Sequence, residues 1–159
     1  MADEEATGSP AAAGKNDRAV TARTGAAGFR TEVSVRGHRF IADEPVSFGG
    51  TDEGPTPYDY LAASLASCTA MTVRMYADRR GWPLEDVTVR LSHGRVHEKD
   101  CESCATQAVG IPRFERSIEL SGPLTDEQRA GLLRVADRCP VKQTLAAGIH
   151  VVPVEAPSP

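Results

Sequence analysis

The sequence lacks the compositional marks of several protein classes. Aromatic residues make up 5% of its 159 residues, and no basic block stands out against its 22 acidic residues. Nucleic-acid binding is therefore not expected. No stretch is apolar for long enough to cross a bilayer, and the N-terminal residues lack the apolar core of a secretory signal. We accordingly expect no membrane partner and a cytoplasmic location.

The N-terminal residues 1–28 also lack any apolar periodicity. They consist mainly of Ala, Gly and charged residues. Such a composition cannot bury enough surface to offset the entropy of ordering, so it predicts a disordered tail. Residues 29–159 are long enough for a single domain with its own core.

This domain combines strand and helix patterns. Alternating residues on both sides of Arg36-Gly37-His38 predict a β-hairpin. The long apolar segment that begins at Pro57 and ends before Gly81 predicts a helix roughly 36 Å long. Because its central part carries a single charge, Arg74, we expect this helix to be buried almost all round.

The second half of the domain predicts two more strands, a second helix and a final strand. Thr125 and Gln128 form a capping box at the start of the helix, and Pro140 predicts a break at Cys139. The last apolar stretch, IHVVPVE, has the pattern of an edge strand. The order β-β-α-β-β-α-β defines an α+β domain.

The chain has only four cysteines, and a structural disulfide framework is not expected in a cytosolic protein of this size. They are Cys68, Cys101, Cys104 and Cys139. Cys68 and Cys139 each lie on an apolar helix stripe, which fits packed core residues as well as reactive thiols. A reactive thiol would need a cation or hydrogen-bond donors to ionise it, and Arg36 and Arg39 are the candidate cations.

Two segments resemble the OsmC/Ohr family, the osmotically induced protein C and organic hydroperoxide resistance proteins. They are GGTDEGPTPYDYLAASLASCTAMTVRMYADRRGWPLEDV and LTDEQRAGLLRVADRCPVKQTL. They contain a Gly-Gly loop, a Pro-led helix with Ser-Cys-Thr at its centre and a Cys-Pro pair in the second helix. The sequence is more similar to a sister branch with a DCxxC loop. The resemblance implies antiparallel sheets packed around two long central helices in an intertwined homodimer.

The resemblance also implies a thiol-dependent peroxidase that acts on organic hydroperoxides in oxidative-stress defence. Cys68 would become a sulfenic acid, Cys139 would condense with it to a disulfide, and an external dithiol would reduce that bond without a cofactor. An arginine and a glutamate hold the thiolate in the best-studied members. The arginine corresponds to Arg36 or Arg39, and Tyr58 followed by Asp59 stands at the place of the glutamate.

The Cys101 and Cys104 pair, in the sequence DCESC, allows three interpretations. In order of preference these are incidental exposed thiols, a dithiol that relays electrons to Cys68 and Cys139, and half of a zinc site completed by His93 and His97. We therefore assign no metal.

Two further functions stay open beside the peroxidase. One is a non-enzymatic protein that binds a small apolar or electrophilic ligand in the cleft at the subunit interface, and the other is a thiol or metal sensor. Leu65, Met71, Met75 and Trp82 offer apolar surface for an alkyl group, although core packing explains them equally well.

Overall fold

The computed structural model describes residues 19–96 and 111–154. Its elements are β1 (Val20–Thr24), β2 (Thr31–Val35), β3 (His38–Ala42), a 3-10 turn (Val46–Phe48), α1 (Pro57–Arg80), β4 (Asp86–Val96), β5 (Ile111–Ser121), α2 (Asp126–Ala136) and α3 (Pro140–Ala147). The chain divides between Pro57 and Tyr58 into two compact units. The predicted α+β class is confirmed.

The first unit contains an antiparallel sheet in the order β1-β2-β3. The predicted hairpin forms from β2 and β3. Arg36 and Gly37 both have positive φ, at 51° and 81°. Two such residues make the tight turn whose twist matches that of the paired strands.

Strand β1 corrects the predicted extent of the N-terminal tail. Val20–Thr24 pairs along its length with β2, from Val20 opposite Val35 to Thr24 opposite Thr31. All five residues of β1 are exposed, so no apolar pattern marked them in the sequence. Backbone pairing with β2 orders them instead, and the tail boundary at residue 28 is wrong for this segment. Residues 1–18 of the predicted tail lie outside the described residues.

A buried carboxylate organises the loop that follows β3. Asp43 is 2% exposed. It accepts hydrogen bonds from the Thr51 hydroxyl at 2.6 Å and from the backbone N–H groups of Thr51, Glu44 and Glu53. The Thr51 hydroxyl and these N–H groups hold the pKa of Asp43 at about 2, below its ordinary 3.8, despite its burial.

The second unit is built on α1, whose predicted start at Pro57 and end before Gly81 are confirmed. One stripe of the helix is buried: Ala62, Leu65, Thr69, Val73 and Ala77. The opposite side is open in the single chain, where Met71 is 64% exposed. The expectation of burial all round is therefore wrong for one chain, because the packing elements cover only one face of the helix.

Helix α2 supplies the other half of the core. Its buried residues join those of α1 in one cluster: Val73, Ala77, Leu84, Leu132 and Ala136. The predicted capping box is confirmed, since Gln128 N–H donates to the Thr125 hydroxyl at 3.2 Å and Thr125 N–H donates to Gln128 Oε1 at 3.0 Å. This cluster fixes how α2 lies against α1.

Strands β4 and β5 form a two-stranded antiparallel sheet. The register places Leu91 opposite Arg116 and His93 opposite Phe114. The predicted break at Cys139 is confirmed, because Cys139 separates α2 from α3. The predicted last strand is wrong: residues 149–154 have no strand conformation and are exposed, and within the described residues no strand pairs with them. No helix in the described ranges is both long and apolar enough to span a membrane.

Candidate active site

Cys68 lies at mid-length in α1, on the edge of the buried stripe. It is half-buried and not disulfide-bonded. Its neighbour Thr69 is fully buried. The Thr72 hydroxyl, one turn further on, donates to the Cys68 carbonyl at 2.8 Å. The small residues around Cys68 leave room for another segment of backbone to approach the helix.

That segment is the junction of α2 and α3, which carries Cys139. Cys139 is 0% exposed and is the N-cap residue of α3. Its ψ of 124° is extended rather than helical, as expected before a proline. The Cys139 side chain makes no capping hydrogen bond. The N–H groups of Val141 and Lys142 nevertheless favour a negative charge on its sulfur.

The two thiols interact with each other. Burial alone would raise the pKa of Cys139, but the Cys68 thiol, the Lys142 N–H, the Thr69 hydroxyl and the Val141 N–H together lower it. Burial and the Cys139 sulfur raise the pKa of Cys68. The first negative charge of the pair is therefore favoured on Cys139, with Cys68 S–H as its donor. The family resemblance implies a thiolate at Cys68 instead.

The predicted thiolate-stabilising residues have other surroundings. Arg36 occupies the β2–β3 turn, and Arg39 lies exposed on β3 in the first unit. Their role toward Cys68 stays a prediction. Asp59 stands nine positions before Cys68 in α1, which is about 13.5 Å along the axis and on the opposite side. Its carboxylate contacts His93 Nε2 at 3.2 Å, so within one chain it does not reach Cys68.

An arginine that sequence reasoning left unexplained sits beside this junction. Arg116 interrupts the apolar alternation of β5, and its side chain is 20% exposed. Its guanidinium donates to the Ala136 carbonyl at 3.2 Å and to Asp137 Oδ1 at 2.9 Å. The Lys142 ammonium contacts the same Asp137 oxygen at 2.5 Å. The break in alternation was the signal that could have identified this residue.

A cleft of about 420 Å3 opens between the β4–β5 sheet, α1 and α3. Its apolar lining consists of Leu65, Leu91, Phe114, Leu145 and Ala146, and its charged lining consists of Arg116 and Lys142. Leu65 lies one helical turn before Cys68, and Lys142 lies in the first turn after Cys139. The cleft therefore adjoins the elements that carry both thiols.

Of the four apolar residues considered for an alkyl group, only Leu65 lines this cleft. Trp82 packs edge-on against Tyr76 at 5.5 Å between ring centroids. Met71 and Met75 are exposed on the other side of α1. Core packing and surface position thus account for these three.

The second cysteine pair lies outside the described residues. Cys101, Cys104 and His97 belong to the range 97–110, so their predicted roles stay predictions. His93 is exposed on β4, and Tyr58 stacks on its ring at 5.9 Å. Within residues 19–96 and 111–154, no three His, Cys, Asp or Glu side chains form a metal-binding group.

The fold and the site together define an α+β protein with two thiols facing each other across a helix and a helix junction. The chain belongs to the OsmC-like protein family, whose sequence profile matches residues 50–153. No curated protein matches the sequence significantly.

Solved structures show the same fold. One is an OsmC like protein from Mycoplasma pneumoniae, 17% identical over 81% of this chain and 86% of that one, with a TM-score of 0.64. Another is an organic hydroperoxide resistance protein OsmC from Legionella pneumophila, 22% identical over 79% and 85%, with a TM-score of 0.55. A third is an organic hydroperoxide resistance protein from Elizabethkingia anophelis, 20% identical over 78% and 84%, with a TM-score of 0.55.

Proposed function

We propose that this protein is a thiol-dependent peroxidase that reduces organic hydroperoxides with Cys68 and Cys139. The observation that carries the proposal is the asymmetry of the interacting pair. Cys68 is partly open to solvent, whereas Cys139 is fully buried at the N-terminus of α3. A peroxide can therefore reach the first sulfur, and the second is held ready to react with the product.

The contact between the sulfurs provides the proton transfer that Cys68 needs. The Cys139 thiolate accepts the Cys68 proton as Cys68 attacks the terminal oxygen of the hydroperoxide. The O–O bond breaks, Cys68 becomes a sulfenic acid, and the alkoxide takes the proton from Cys139 and leaves as an alcohol, which returns Cys139 to its thiolate. The Cys139 thiolate then attacks Cys68, forming a disulfide and releasing the sulfenic oxygen as hydroxide, which takes a proton from solvent to become water.

Two electrons pass from the thiol pair to the peroxide in each cycle, so an external dithiol must return them. This cycle needs a reducing environment between turnovers, for which the cytoplasm is the proposed location. The cleft beside Leu65 and Phe114 supports an alkyl or aryl substituent on the substrate. The names of the Legionella and Elizabethkingia proteins accord with this substrate class.

An intertwined homodimer is part of the proposal. The exposed apolar side chains of α1 and of residues 149–154 support it, because a monomer seldom leaves so many large apolar groups open. Arg36 or Arg39 would then act on Cys68 within the assembled protein. Measuring the molar mass by sedimentation equilibrium tests the dimer, and a monomer at micromolar concentration would contradict it.

One titration tests the peroxidase directly. The reduced protein, in a Cys101→Ser/Cys104→Ser background, receives one equivalent of cumene hydroperoxide, and the free thiols are counted over time. We expect the loss of two thiols and a Cys68–Cys139 disulfide in the peptide map. Cys68→Ser should consume no peroxide. Cys139→Ser should lose one thiol and stop at the sulfenic acid with one equivalent, and a second equivalent should over-oxidise it to the sulfinic acid.

Unchanged thiols in the parent background would overturn the peroxidase. The same cleft favours one alternative, a protein that binds a small apolar ligand without chemistry. In that case cumyl alcohol, which lacks the O–O bond, should bind as tightly as the hydroperoxide. Retention of both thiols together with such binding would establish the alternative.

A further inference from the structure

We propose that Arg116 is a positioning residue for Cys139, acting through the junction of α2 and α3. The inference rests on the proposed function for its catalytic consequence, while the contacts themselves are independent of it. From its position on β5, Arg116 contacts Ala136 and Asp137, the last residue and the C-cap of α2, two to three residues before Cys139.

Placing the Arg116 guanidinium in this half-buried position costs hydration free energy, which its contacts must offset. It shares the half-buried face of β5 with Phe114, Ile118 and Leu120, and a charge among such neighbours loses hydration. The guanidinium recovers that loss through the Ala136 carbonyl and the Asp137 carboxylate. A cation at the C-terminus of a helix also interacts favourably with the helix dipole.

The contacts bracket Cys139 on both sides. Ala136 and Asp137 precede it, and the same Asp137 oxygen contacts Lys142, three residues after it. Ala136 also accepts the Cys139 N–H at 3.4 Å. The link between Asp137 and Lys142 is exposed and therefore weak on its own, whereas the Arg116 side chain is mostly buried. Of the two side chains that contact Asp137, Arg116 therefore holds the junction more strongly than Lys142. We call the contacts of Arg116 with Ala136 and Asp137 the clamp.

The clamp has a defined consequence for the reaction. Disulfide formation requires the Cys139 sulfur to approach the Cys68 sulfur to bonding distance, which depends on where the junction is held. Sulfenic acid formation needs access to Cys68 and a proton transfer to Cys139, and a hydrogen bond carries that transfer at a longer sulfur–sulfur separation than a covalent bond allows. Loosening the junction should therefore slow disulfide closure much more than the first oxidation.

The experiment compares Arg116→Met with Arg113→Met in the Cys101→Ser/Cys104→Ser background. Arg113 lies on the same strand but is exposed, with one contact to Glu115 at 3.4 Å. Excess cumene hydroperoxide converts unresolved Cys68 sulfenic acid to sulfinic acid and releases a second alcohol. We expect Arg116→Met to raise the ratio of sulfinic acid to disulfide roughly tenfold, the scale of one charge-assisted hydrogen bond. Arg113→Met should match the parent.

Arg116→Lys keeps the charge but not the forked geometry, so it should restore part of the closure rate. If Arg116→Met does not fold, Asp137→Asn replaces it and should raise the same ratio by a smaller factor. An unchanged ratio in Arg116→Met, or in Asp137→Asn where it stands in, overturns the proposal. A variant that slows sulfenic acid formation and disulfide closure by the same factor also overturns the proposal, because that outcome indicates a purely structural role.

A second oxidant separates this proposal from the peroxidase. Diamide accepts two electrons and two protons from a pair of thiols, so it closes the Cys68–Cys139 disulfide without any peroxide chemistry. Slower closure by diamide in Arg116→Met supports the clamp even if the parent does not reduce cumene hydroperoxide. Equal closure rates in the two Met variants overturn it, whatever the peroxide result.

Discussion

Leu132 is the residue whose removal should most directly loosen the packing between the helices that carry the two thiols. It is 0% exposed and belongs to the cluster formed by Val73, Ala77, Leu84 and Ala136. Leu132→Ala removes three buried carbons, which at ~0.8 kcal/mol each is about 2.4 kcal/mol of transfer free energy. The residual cavity raises the expected loss of unfolding free energy to about 3 kcal/mol.

Urea unfolding at a fixed protein concentration measures this loss. Trp82 is the only tryptophan, and its contact with Tyr76 makes its fluorescence sensitive to unfolding of the same core. For an m-value of ~2 kcal/mol/M, the midpoint should fall by about 1.5 M with the m-value unchanged. Leu133→Ala is the matched control, because Leu133 is 44% exposed and should cost less than about 1 kcal/mol.

A loss at Leu132 no larger than that at Leu133 would refute the assignment of this cluster as the core. The cluster also connects to the site, since Ala136 belongs to it and accepts the hydrogen bond from Arg116. Leu132→Ala should therefore slow Cys68–Cys139 closure by diamide as well. Closure at the parent rate would show that the junction keeps its place without the core.

Three further predictions concern the thiols, acid stability and helix packing. Cys68→Ala should raise the pKa of Cys139, and Cys139→Ala should lower the pKa of Cys68. Thiolate absorbance measured as a function of pH tests this, and pKa shifts of the same sign in the two variants would refute it. Asp43 ionises more readily folded than unfolded, so its stabilising effect is present above about pH 4 and is lost as the pH falls toward about 2. Asp43→Asn should make the urea midpoint depend less steeply on pH between about 4 and about 2. A pH dependence as steep as that of the parent protein would contradict the prediction. Gly131→Ala places a Cβ 2.9 Å from Trp82 Cη2, so thermal unfolding should show a net loss of roughly 1 kcal/mol despite better helix propensity.

Local chemistry made much of the fold predictable. The proline that opens α1 and the glycine after it, the turn at Arg36-Gly37 and the capping box at Thr125 each act within a few residues of the structure they specify. The break at Cys139 is of the same kind, because Pro140 restricts the residue before it. Such signals are present in the sequence whatever the rest of the chain does.

Non-local structure was less predictable. Strand β1 has no buried face, and its order comes from backbone pairing with β2. The inward position of Arg116 became intelligible only when the end of α2 was found beside it. Apolar stripes placed Cys68 and Cys139 on inward faces, but periodicity carries no information on which two faces meet. Family resemblance implied that pairing, and the opposite shifts of the two pKa values accord with it.

The thiol pair divides two requirements that are difficult to satisfy in one residue. A reactive sulfur must be accessible to the peroxide, and it must also be ionised. Cys68 has the access, while the N–H groups at the start of α3 favour the charge on buried Cys139. In the proposed cycle, one proton transfer between the interacting sulfurs moves the charge to the accessible atom when a peroxide arrives. On this proposal, residues that hold the α2–α3 junction affect the ionisation of Cys68 and, more strongly, the closure of the disulfide.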